Sequence, residues 1–495
     1  MHQVNTDAAP VLLAVVGGLQ RAAASRRTAQ RGASRVQDGG DPRPGPALPA
    51  TSQRMKVTCC LAAILFLVAG PTLGQAPSRQ ETIQPIHQKT FDREGAARER
   101  RQGGNPREVG GLLAFDGSMD GNRQVDPQIA VGGGFVLHAT NSGLVIYDKQ
   151  GGFVDGVSQN AFNGGIDPKL FFDPHSRVFG FDLWNPWDEE KLKPVNISVS
   201  ATSDPAGAWN TYPVPAPDGV DGGGIGYSRE WIGYSFPGGA DRTFVLRTAQ
   251  ARAGVPAQVF HFPGSLGHPV LTQDPVDDLH FVELTDRVIR VRKVAASDGG
   301  EPRAIEVGAT PHGWPSFRWP PHSPQKGTEQ KTASGDRNPK NLVMQGGFIW
   351  FSHTVHHEGR AAVQWHQIEL DGRIVQSGRI ADPASSFIQT TIAVNRKLDV
   401  LVGFQETSPD MFISPRLAFR RAEDPPGILR RTVSLGEGLA GTTGLSWGDY
   451  SGSVVDGDDL LDLWTIQSVA GADGRGDTVI CRVPSTFGAV ESERR

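Results

Sequence analysis

The chain has 495 residues, a formal net charge of −4 and 38% hydrophobic residues, so it is long enough to bury a sizeable core. Its 61 Gly and 36 Pro residues favour many turns and short strands over long helices. No block of Lys or Arg appears in the body of the chain, which argues against a nucleic-acid-binding protein.

The first 54 residues are mainly Ala, Arg, Gly and Pro in no regular order, and they predict a disordered extension that cannot form a core. Met55 is followed by a segment with its own start signals, described next. We therefore interpret Met55 as the true start of translation and the upstream part as a mis-assigned extension.

Residues 55–74, in "MKVTCCLAAILFLVAGPTLGQA", have the three parts of a secretory signal peptide. Lys56 supplies the charge, an apolar run extends from Leu61 to Ala69, and small residues precede Gln75. The run is short for a membrane span. The pattern predicts cleavage before Gln75 and a secreted protein, extracellular or periplasmic, with no membrane span in its mature form.

Two alternatives to cleavage are an uncleaved membrane anchor and a buried helix. A lipoprotein is less favoured because Cys59 and Cys60 precede the apolar run instead of following it. Removal of this segment would leave Cys481 without an intramolecular partner. The mature domain must then be stabilised by its core and not by disulfides.

The remaining chain divides by composition into a linker, one folded domain and a tail. Residues 75–111 are charged and poor in large apolar groups, which predicts a disordered linker. Residues 112–486 form the predicted folded domain, and residues 487–495 a disordered tail.

One phrase recurs along this domain at the spacing typical of propeller blades. It has a polar residue, often Asp followed by Pro or Gly, then a short apolar strand, a turn and a second apolar strand. The seven copies, of which the fifth and sixth are faint, begin at Val125, Ile166, Val220, Leu266, Asn338, Ser386 and Leu445.

Proline cannot donate a ladder hydrogen bond, so the Asp-Pro pairs belong at the first residue of a strand. Turns such as "DPHSR" and "DPVDD" close each hairpin, and further strands complete four per repeat. Such sheets must stack on their neighbours, which predicts an all-β protein, a β-propeller of seven four-stranded blades. Six or eight blades, a pair of β-sandwiches and an open β-solenoid are the alternatives.

The segments "DPQIAVGGGFVLHATNSGLVIYDKQG", "DPKLFFDPHSRVFGF", "ISVSATSDPAGAWNTYPV" and "WGDYSGSVVD" resemble a large group of secreted bacterial β-propeller proteins, mostly uncharacterised. The resemblance covers most of Asp126 to Val483. It implies an exported propeller, distantly similar in architecture to sialidase-like propellers, and implies no established reaction.

The chain departs from these relatives in its third repeat, where Asp221 is followed by three glycines instead of Tyr-Pro. The glycines remove a ring that would face a ligand there. An Asp-box of the sialidase type is incomplete, and nothing in the spacing of Arg229, Arg242 and Arg290 marks them as a carboxylate clamp. Sialidase activity is therefore not carried over.

In a propeller the innermost strand of each blade starts on the face that usually holds the ligand site. The polar residues at the heads of these strands are therefore expected to converge on a central funnel, with two aromatic residues beside them. The predicted binding residues are Asp126, Asp167, Asp221, His268, Trp447, Asp449 and Tyr450.

Two interpretations of this set compete. In the first, each Asp accepts hydrogen bonds from the backbone of its own turn, and Trp447 packs between blades. Alternatively, the funnel binds a cation or a hydroxyl-rich ligand through carboxylates and aromatic faces. Oxygen ligands would suit Ca²⁺, although no continuous calcium loop is visible and "DGDD" at Asp456 lacks the remaining ligands. No catalytic residue and no metal ligand is assigned.

The stretch "FSHTVHHEG" resembles a metal cluster, because it holds His353, His356, His357 and Glu358. The zincin order His-Glu-x-x-His is absent, and the context is a strand leading to a turn. In a strand, His353 and His357 share one face. A polar strand end is the favoured interpretation, with a metal site and the general base of a polysaccharide lyase as alternatives.

The sequence thus favours a binding or scaffolding propeller that recognises a glycan or a surface protein, outside the cell or at its surface. The alternative is a carbohydrate-active enzyme, either a glycoside hydrolase or a polysaccharide lyase, with acidic or His/Tyr residues in the funnel. No single catalytic constellation stands out from the repeat.

Overall fold

The computed structural model describes residues 74–88, 104–117, 125–141, 143–185, 194–216, 222–236, 242–296, 301–314, 318–444 and 446–488. The predicted extension and nearly all of the predicted signal peptide lie outside these residues. Within them the only α-helix is α1, Thr248–Ala253, and no helix is long and apolar enough to cross a membrane.

Four strands precede the first repeat phrase: β1 Arg79–Ile83, β2 Ile86–Gln88, β3 Gly104–Val109 and β4 Leu112–Asp116. The next twelve cover the first three phrases: β5 Gln128–Gly132, β6 Phe135–Thr140, β7 Gly143–Asp148, β8 Phe153–Val157, β9 Ile166–Asp173, β10 Val178–Trp184, β11 Val195–Ser200, β12 Trp209–Val214, β13 Gly224–Tyr227, β14 Trp231–Ser235, β15 Thr243–Arg247 and β16 Ala257–Phe262.

The second half of the chain contributes the remaining strands: β17 His268–Pro269, β18 Leu271–Thr272, β19 Leu279–Leu284, β20 Val288–Ala295, β21 Arg303–Pro311, β22 Ser323–Gln325, β23 Thr328–Thr332, β24 Leu342–Gln345, β25 Phe348–His357, β26 Arg360–Ile368, β27 Ile374–Ile380, β28 Ser386–Val394, β29 Val400–Ser408, β30 Met411–Arg420, β31 Val433–Ser434, β32 Gly452–Val455, β33 Leu463–Ala470 and β34 Gly476–Val483.

The prediction of an all-β β-propeller is confirmed, but the prediction of seven four-stranded blades is wrong, because the structure has five blades. Five separate sheets have four or five strands, in the orders β5-β6-β7-β8, β9-β10-β11-β12-β2, β17-β19-β20-β21, β28-β29-β30-β31 and β32-β33-β34-β4-β3. The other repeats share one ten-stranded sheet, β1-β16-β15-β14-β13-β18-β24-β25-β26-β27, and β22 and β23 form a small ribbon. The count differs because parallel bridges from β18 to β13 and to β24 join neighbouring repeats.

The sequence predicts a disordered linker at residues 75–111, but the structure has strands there. β1 pairs with β16, β2 with β12, and β3 with β4, so each lies at the edge of a sheet. Edge strands are held by their backbone ladder and carry polar side chains, as in the sequence "RQETI" of β1. Such a strand has the composition of a solvated linker, which explains the error.

An early strand and the last described strand meet in one sheet. β4 pairs with β34, with Ala114 opposite Cys481. The sheet packs on its neighbour through Phe115, whose ring centroid lies 5.4 Å from that of Tyr147 and 6.5 Å from that of Trp464. The predicted tail also differs at its start, because Phe487 packs on Phe419 with ring centroids 5.8 Å apart.

A glycine pair recurs in the hairpins after β5 and β24 and has a physical cause. Gly133 and Gly134 have φ of 59° and 88°, in the left-handed region that favours glycine. Their amides donate to the two carboxylate oxygens of Asp458, at 2.9 and 3.0 Å. Asp274 receives the next such pair, Gly346–Gly347, at 2.9 and 2.7 Å. These hydrogen bonds connect each hairpin to a loop of the preceding repeat.

Candidate functional site

The inner strands begin at one end of a central channel. Parallel bridges connect β13 to β18 and β18 to β24, so these strands start at the same end. Residues of β5, β9, β13, β18, β24 and β32 line the channel. We call its starting end the channel mouth, defined by Asp126, Asp167, Lys169, His268, Lys340, Asp449 and Tyr450.

Asp126 and Asp167 have left-handed backbones, with φ of 44° and 58°. Such values are uncommon outside glycine, although Asp and Asn tolerate them better than most residues. Each Asp precedes a proline that starts the run of an inner strand. Unusual backbone angles of this kind concentrate at functional sites and switch regions, so both positions are candidates for function.

Asp126 connects the first and last repeats. Its Oδ1 accepts a hydrogen bond from the Asp449 amide at 2.5 Å, and its Oδ2 accepts one from Asn141 Nδ2 at 2.6 Å. Burial raises the pKa of Asp126 to about 6, although the bond from Asp449 acts against the rise. The carboxylate accepts a backbone hydrogen bond, as one interpretation predicted. The donor is an amide of another repeat and not an amide of its own turn.

Lys169 is the most unusual group at the channel mouth. Its side chain is 5% exposed, and its Nζ has no hydrogen-bond partner among the described residues. The Nζ lies 3.0 Å from the centroid of the Tyr450 ring. Burial lowers the pKa of Lys169, while the charges of Asp167 and Asp182 act in the opposite direction. The chain therefore holds a poorly compensated amine in its interior.

Asp182 lies opposite Lys169 in the ladder between β9 and β10. It is 1% exposed, and its Oδ1 has no hydrogen-bond partner in the part of the chain that the structure describes. Burial raises the pKa of Asp182 to about 7, with the charge of Lys169 opposing the rise. The carboxyl therefore titrates close to neutral pH.

Lys340 and His268 complete the opposite side of the channel mouth. Lys340 Nζ lies 5.3 Å from the centroid of the Tyr450 ring and pairs with Asp336 at 3.2 Å. Burial and the charge of Lys340 lower the pKa of His268 to about 4, so this imidazole is neutral at pH 7. Burial raises the pKa of Tyr450 well above its usual value. Its hydroxyl stays protonated.

The channel has little empty space below its mouth. A cavity of about 20 Å³ lies beside Lys169, Lys340 and Asn341. A second cavity of about 20 Å³ lies further along the channel, beside Phe171, Phe172 and other side chains. Each has room for about one water molecule. A ligand larger than that must bind mainly on the outer side of the mouth.

The structure brings together most, but not all, of the residues predicted for the funnel. The charges of Asp126, Asp167 and Asp449 contribute to the raised pKa of Tyr450. The charges of Lys169 and Lys340 contribute to the lowered pKa of His268. Trp447 is 2% exposed and packs in a separate apolar cluster, with its Nε1 donating to Gln405 Oε1 at 3.1 Å. Asp221 lies outside the described residues.

The sequence interpretation missed Lys169, Lys340 and Tyr234. Lys169 had a signal, because it interrupts the otherwise apolar strand "IDPKLFFD". Tyr234 fills the space beside the glycines of the third repeat: a Cβ on Gly223 would lie 2.3 Å from Tyr234 Oη. A ring from the next strand therefore occupies the space that a side chain at position 223 would need.

The histidine stretch lies in β25 and its following turn, and its first histidine is buried. His353 Nδ1 lies 2.6 Å from the Arg337 carbonyl oxygen, and His353 Nε2 lies 3.1 Å from His366 Nε2. The His366 ring stacks on Trp314 at 4.0 Å. Burial lowers the pKa of His353 to about 4. These contacts place His353 in an internal imidazole chain, away from solvent.

The other acidic and basic candidates are held within the chain. Lys149 Nζ lies 2.8 Å from Asp456 Oδ1 and 2.7 Å from Asp458 Oδ2, so the "DGDD" turn binds a lysine. Arg229 pairs with Asp277, and Arg290 with Glu283. Across the described ranges, no group of three or more His, Cys, Asp or Glu residues is arranged to hold a metal ion.

Comparisons with known proteins add little beyond the fold. No protein-family model and no curated protein matches the chain. A quinoprotein alcohol dehydrogenase-like protein from Bacteroides thetaiotaomicron is 10% identical over 69% of this chain and 77% of its own, with a TM-score of 0.37. A protein of unknown function from Dyadobacter fermentans is 12% identical over 83% and 99%, with a TM-score of 0.36.

AztD from Citrobacter koseri is 14% identical over 63% of this chain and 72% of its own, with a TM-score of 0.29. These β-propeller-like neighbours differ in function, and likenesses of this strength carry no conclusion about activity. The channel mouth must therefore be interpreted from its own residues.

Replacing Lys169 with Met is expected to raise the free energy of unfolding by on the order of 1 kcal/mol, because a buried amine without an oxygen partner gives way to an apolar chain of similar length. Lys149→Met is the matched control and should destabilise by about 1 to 3 kcal/mol, since it strips two carboxylates of their partner. Urea unfolding of both variants measures the difference. Equal destabilisation by the two substitutions would contradict the unpaired state of Lys169.

Proposed function

We propose that this protein is a secreted β-propeller that binds a hydroxyl-rich carbohydrate at the channel mouth. The observation that carries the proposal is Lys169, a buried amine without a hydrogen-bond partner that lies over the ring of Tyr450. A folded protein keeps a group of this kind at a cost to its stability. Such costs are typical of sites shaped for a ligand.

The chemistry of the channel mouth suits sugar hydroxyls. Asp167 is half-buried and Asp449 is exposed, so their carboxylates can accept hydrogen bonds from hydroxyl groups. Lys340 can donate to sugar oxygens, and the neutral imidazole of His268 can do either. Ligand sites commonly combine a few such polar groups with aromatic surface.

Secretion rests on the predicted signal peptide, residues 55–74. Gln75, the first residue after the predicted cleavage, exchanges two backbone hydrogen bonds with Ala304, at 2.7 and 2.9 Å. Cleavage before Gln75 would leave these bonds intact, and the new N-terminus would lie at the edge of a sheet. The lone Cys481 is buried in the core, and burial raises the pKa of its thiol to about 12, which suppresses its reactivity.

A second candidate function is a polysaccharide lyase, favoured by the position of His268. A lyase removes the proton next to a uronic acid carboxylate, and it needs a base, an acid and positive charge on the carboxylate. Neutral His268 would be the base, Tyr450 the acid, and Lys169 with Lys340 the positive charge. The His353 alternative loses support because both ring nitrogens have partners inside the protein, the Arg337 carbonyl oxygen and His366 Nε2.

The test is a glycan array with the mature chain from Gln75, followed by titration of each bound glycan. Tyr450→Phe and Asp167→Asn should weaken binding by about tenfold or more, because each removes a polar group at the mouth. Tyr147→Phe, in the buried core of β7, is the matched control and should bind like the wild type.

Each outcome of this test has a defined meaning. Absence of any bound glycan, with a protein partner captured instead, would replace carbohydrate binding with a scaffolding function. Release of unsaturated uronate products during incubation would establish the lyase.

A further inference from the structure

We propose that the carbohydrate is acidic, and that its carboxylate contacts the amines of Lys169 and Lys340. This inference rests on the proposed function of the channel mouth. Lys169 has three N–H donors, and none of them meets an oxygen acceptor in the described part of the chain. The Tyr450 ring provides a cation–π contact at 3.0 Å but no hydrogen-bond acceptor oxygen from its face.

The two amines lie around a single ring. Lys169 Nζ is 3.0 Å and Lys340 Nζ is 5.3 Å from the centroid of Tyr450. The charge of Lys340 contributes to the lowered pKa of Lys169. Both lysines line the same small cavity, so an anion that enters it would lie close to both amines. Charge-assisted hydrogen bonds are about twice as strong as neutral ones.

The carboxylates of the protein do not already fill this position. Asp126 is engaged by the Asp449 amide and by Asn141. Asp336 pairs with Lys340 from one side. No carboxylate forms an ion pair with Lys169 in the described ranges, although Asp167 and Asp182 lie near enough to act on its charge.

Repulsion of an incoming anion is limited by the state of these acids. Burial raises the pKa of Asp126 to about 6 and that of Asp182 to about 7, so both carry less than a full negative charge near neutral pH. Asp167 and Asp449 also repel an anion at the mouth, so binding requires that contact with the two amines outweighs this repulsion.

The small cavity decides which part of a saccharide can reach Lys169. Its volume of about 20 Å³ accommodates a group the size of a water molecule. A sugar ring is far larger, so only a small polar substituent can enter beside Lys169 and Lys340. One oxygen of a uronic acid carboxylate has that size and carries negative charge. The rest of the saccharide would remain on the outer side, near the exposed Asp449.

The experiment compares acidic oligosaccharides with their carboxyl-reduced forms, which have the same backbone and no charge. The probes are oligogalacturonate, oligomannuronate and chondroitin oligosaccharides, titrated calorimetrically into the mature chain. We expect at least one acidic form to bind about tenfold tighter than its reduced form, corresponding to about 1.4 kcal/mol. Its affinity should fall as salt concentration rises.

Variants locate the preference on the two amines. Lys169→Met should reduce the difference between acidic and reduced forms to below about threefold. Lys326→Met is the matched control, because Lys326 also lies over an aromatic ring, Phe412 at 5.1 Å, on another part of the domain. Lys340→Met gives a second, independent readout if Lys169→Met does not fold, and a melting curve of each variant identifies that case.

The outcomes separate the two proposals. Equal binding of an acidic form and its reduced form would overturn the carboxylate inference and leave carbohydrate binding intact. Failure of all acidic and reduced forms to bind would overturn both. A charge preference that survives both lysine substitutions would also overturn the assignment of the carboxylate to these amines.

Discussion

A chain that ends at Gly444 is expected to lose its native fold throughout, and not only in one sheet. The truncation removes β32, β33 and β34, so that β4 keeps only β3 as a partner and the first and last repeats no longer meet. The core around Phe115 and Tyr147 would lose Trp464 and open to water at the exposed sheet edges. Circular dichroism and calorimetric melting measure the loss.

The control for this truncation is a chain that ends at Gly488, which is the last described residue. It keeps β34 and the contact between Phe487 and Phe419, and it should melt like the full-length protein. A cooperative transition of near-native enthalpy in the chain that ends at Gly444 would show that the sheets are stable as separate units.

Trp447→Ala is expected to destabilise the domain by about 3 to 5 kcal/mol, the usual cost of removing a large buried aromatic ring. The Trp447 ring packs with Ile388 and Ile413, and its Nε1 donates to Gln405 Oε1 at 3.1 Å. The substitution leaves a cavity and an unpaired Gln405 oxygen in the interior. Such a loss is a large fraction of the roughly 5 to 15 kcal/mol that stabilises a typical domain.

Trp319→Ala provides the comparison, because Trp319 is 58% exposed and meets Arg337 only through a cation–π contact of 5.3 Å. Its cost should stay below about 1 kcal/mol. Urea unfolding of both variants at one pH gives the two values. A small effect of Trp447→Ala, together with weakened glycan binding, would mean that Trp447 acts at the ligand site.

The fold class could be predicted because its signals are local. Asp-Pro pairs start inner strands, turns such as "DPHSR" and "DPVDD" close hairpins, and the apolar runs between them are short. The number of separate sheets could not be predicted, because the two parallel bridges from β18 depend on where neighbouring strands lie in space. The N-terminal strands were missed because the polar edge strand β1 has the composition of a solvated segment.

The candidate site was predictable in position and less so in chemistry. The repeat placed Asp126, Asp167 and Asp449 at the heads of inner strands, and the structure brings them to one end of the channel. The partners of Asp126 come from distant parts of the chain, which no local pattern reveals. Lys169 differs, because a lysine within an apolar inner strand is visible in the sequence and indicates an unusual role.

The pairing of the first strands with late ones has a consequence for the time course of folding. β1 finds its partner only when β16 is present, and β4, which pairs early with β3, finds its second partner only when β34 has been made. Contacts between segments this distant in sequence make a domain fold slowly. Until β34 has been synthesised, one edge of β4 and one edge of β33 have no partner strand, so the incomplete chain is more prone to associate with other chains than the complete one.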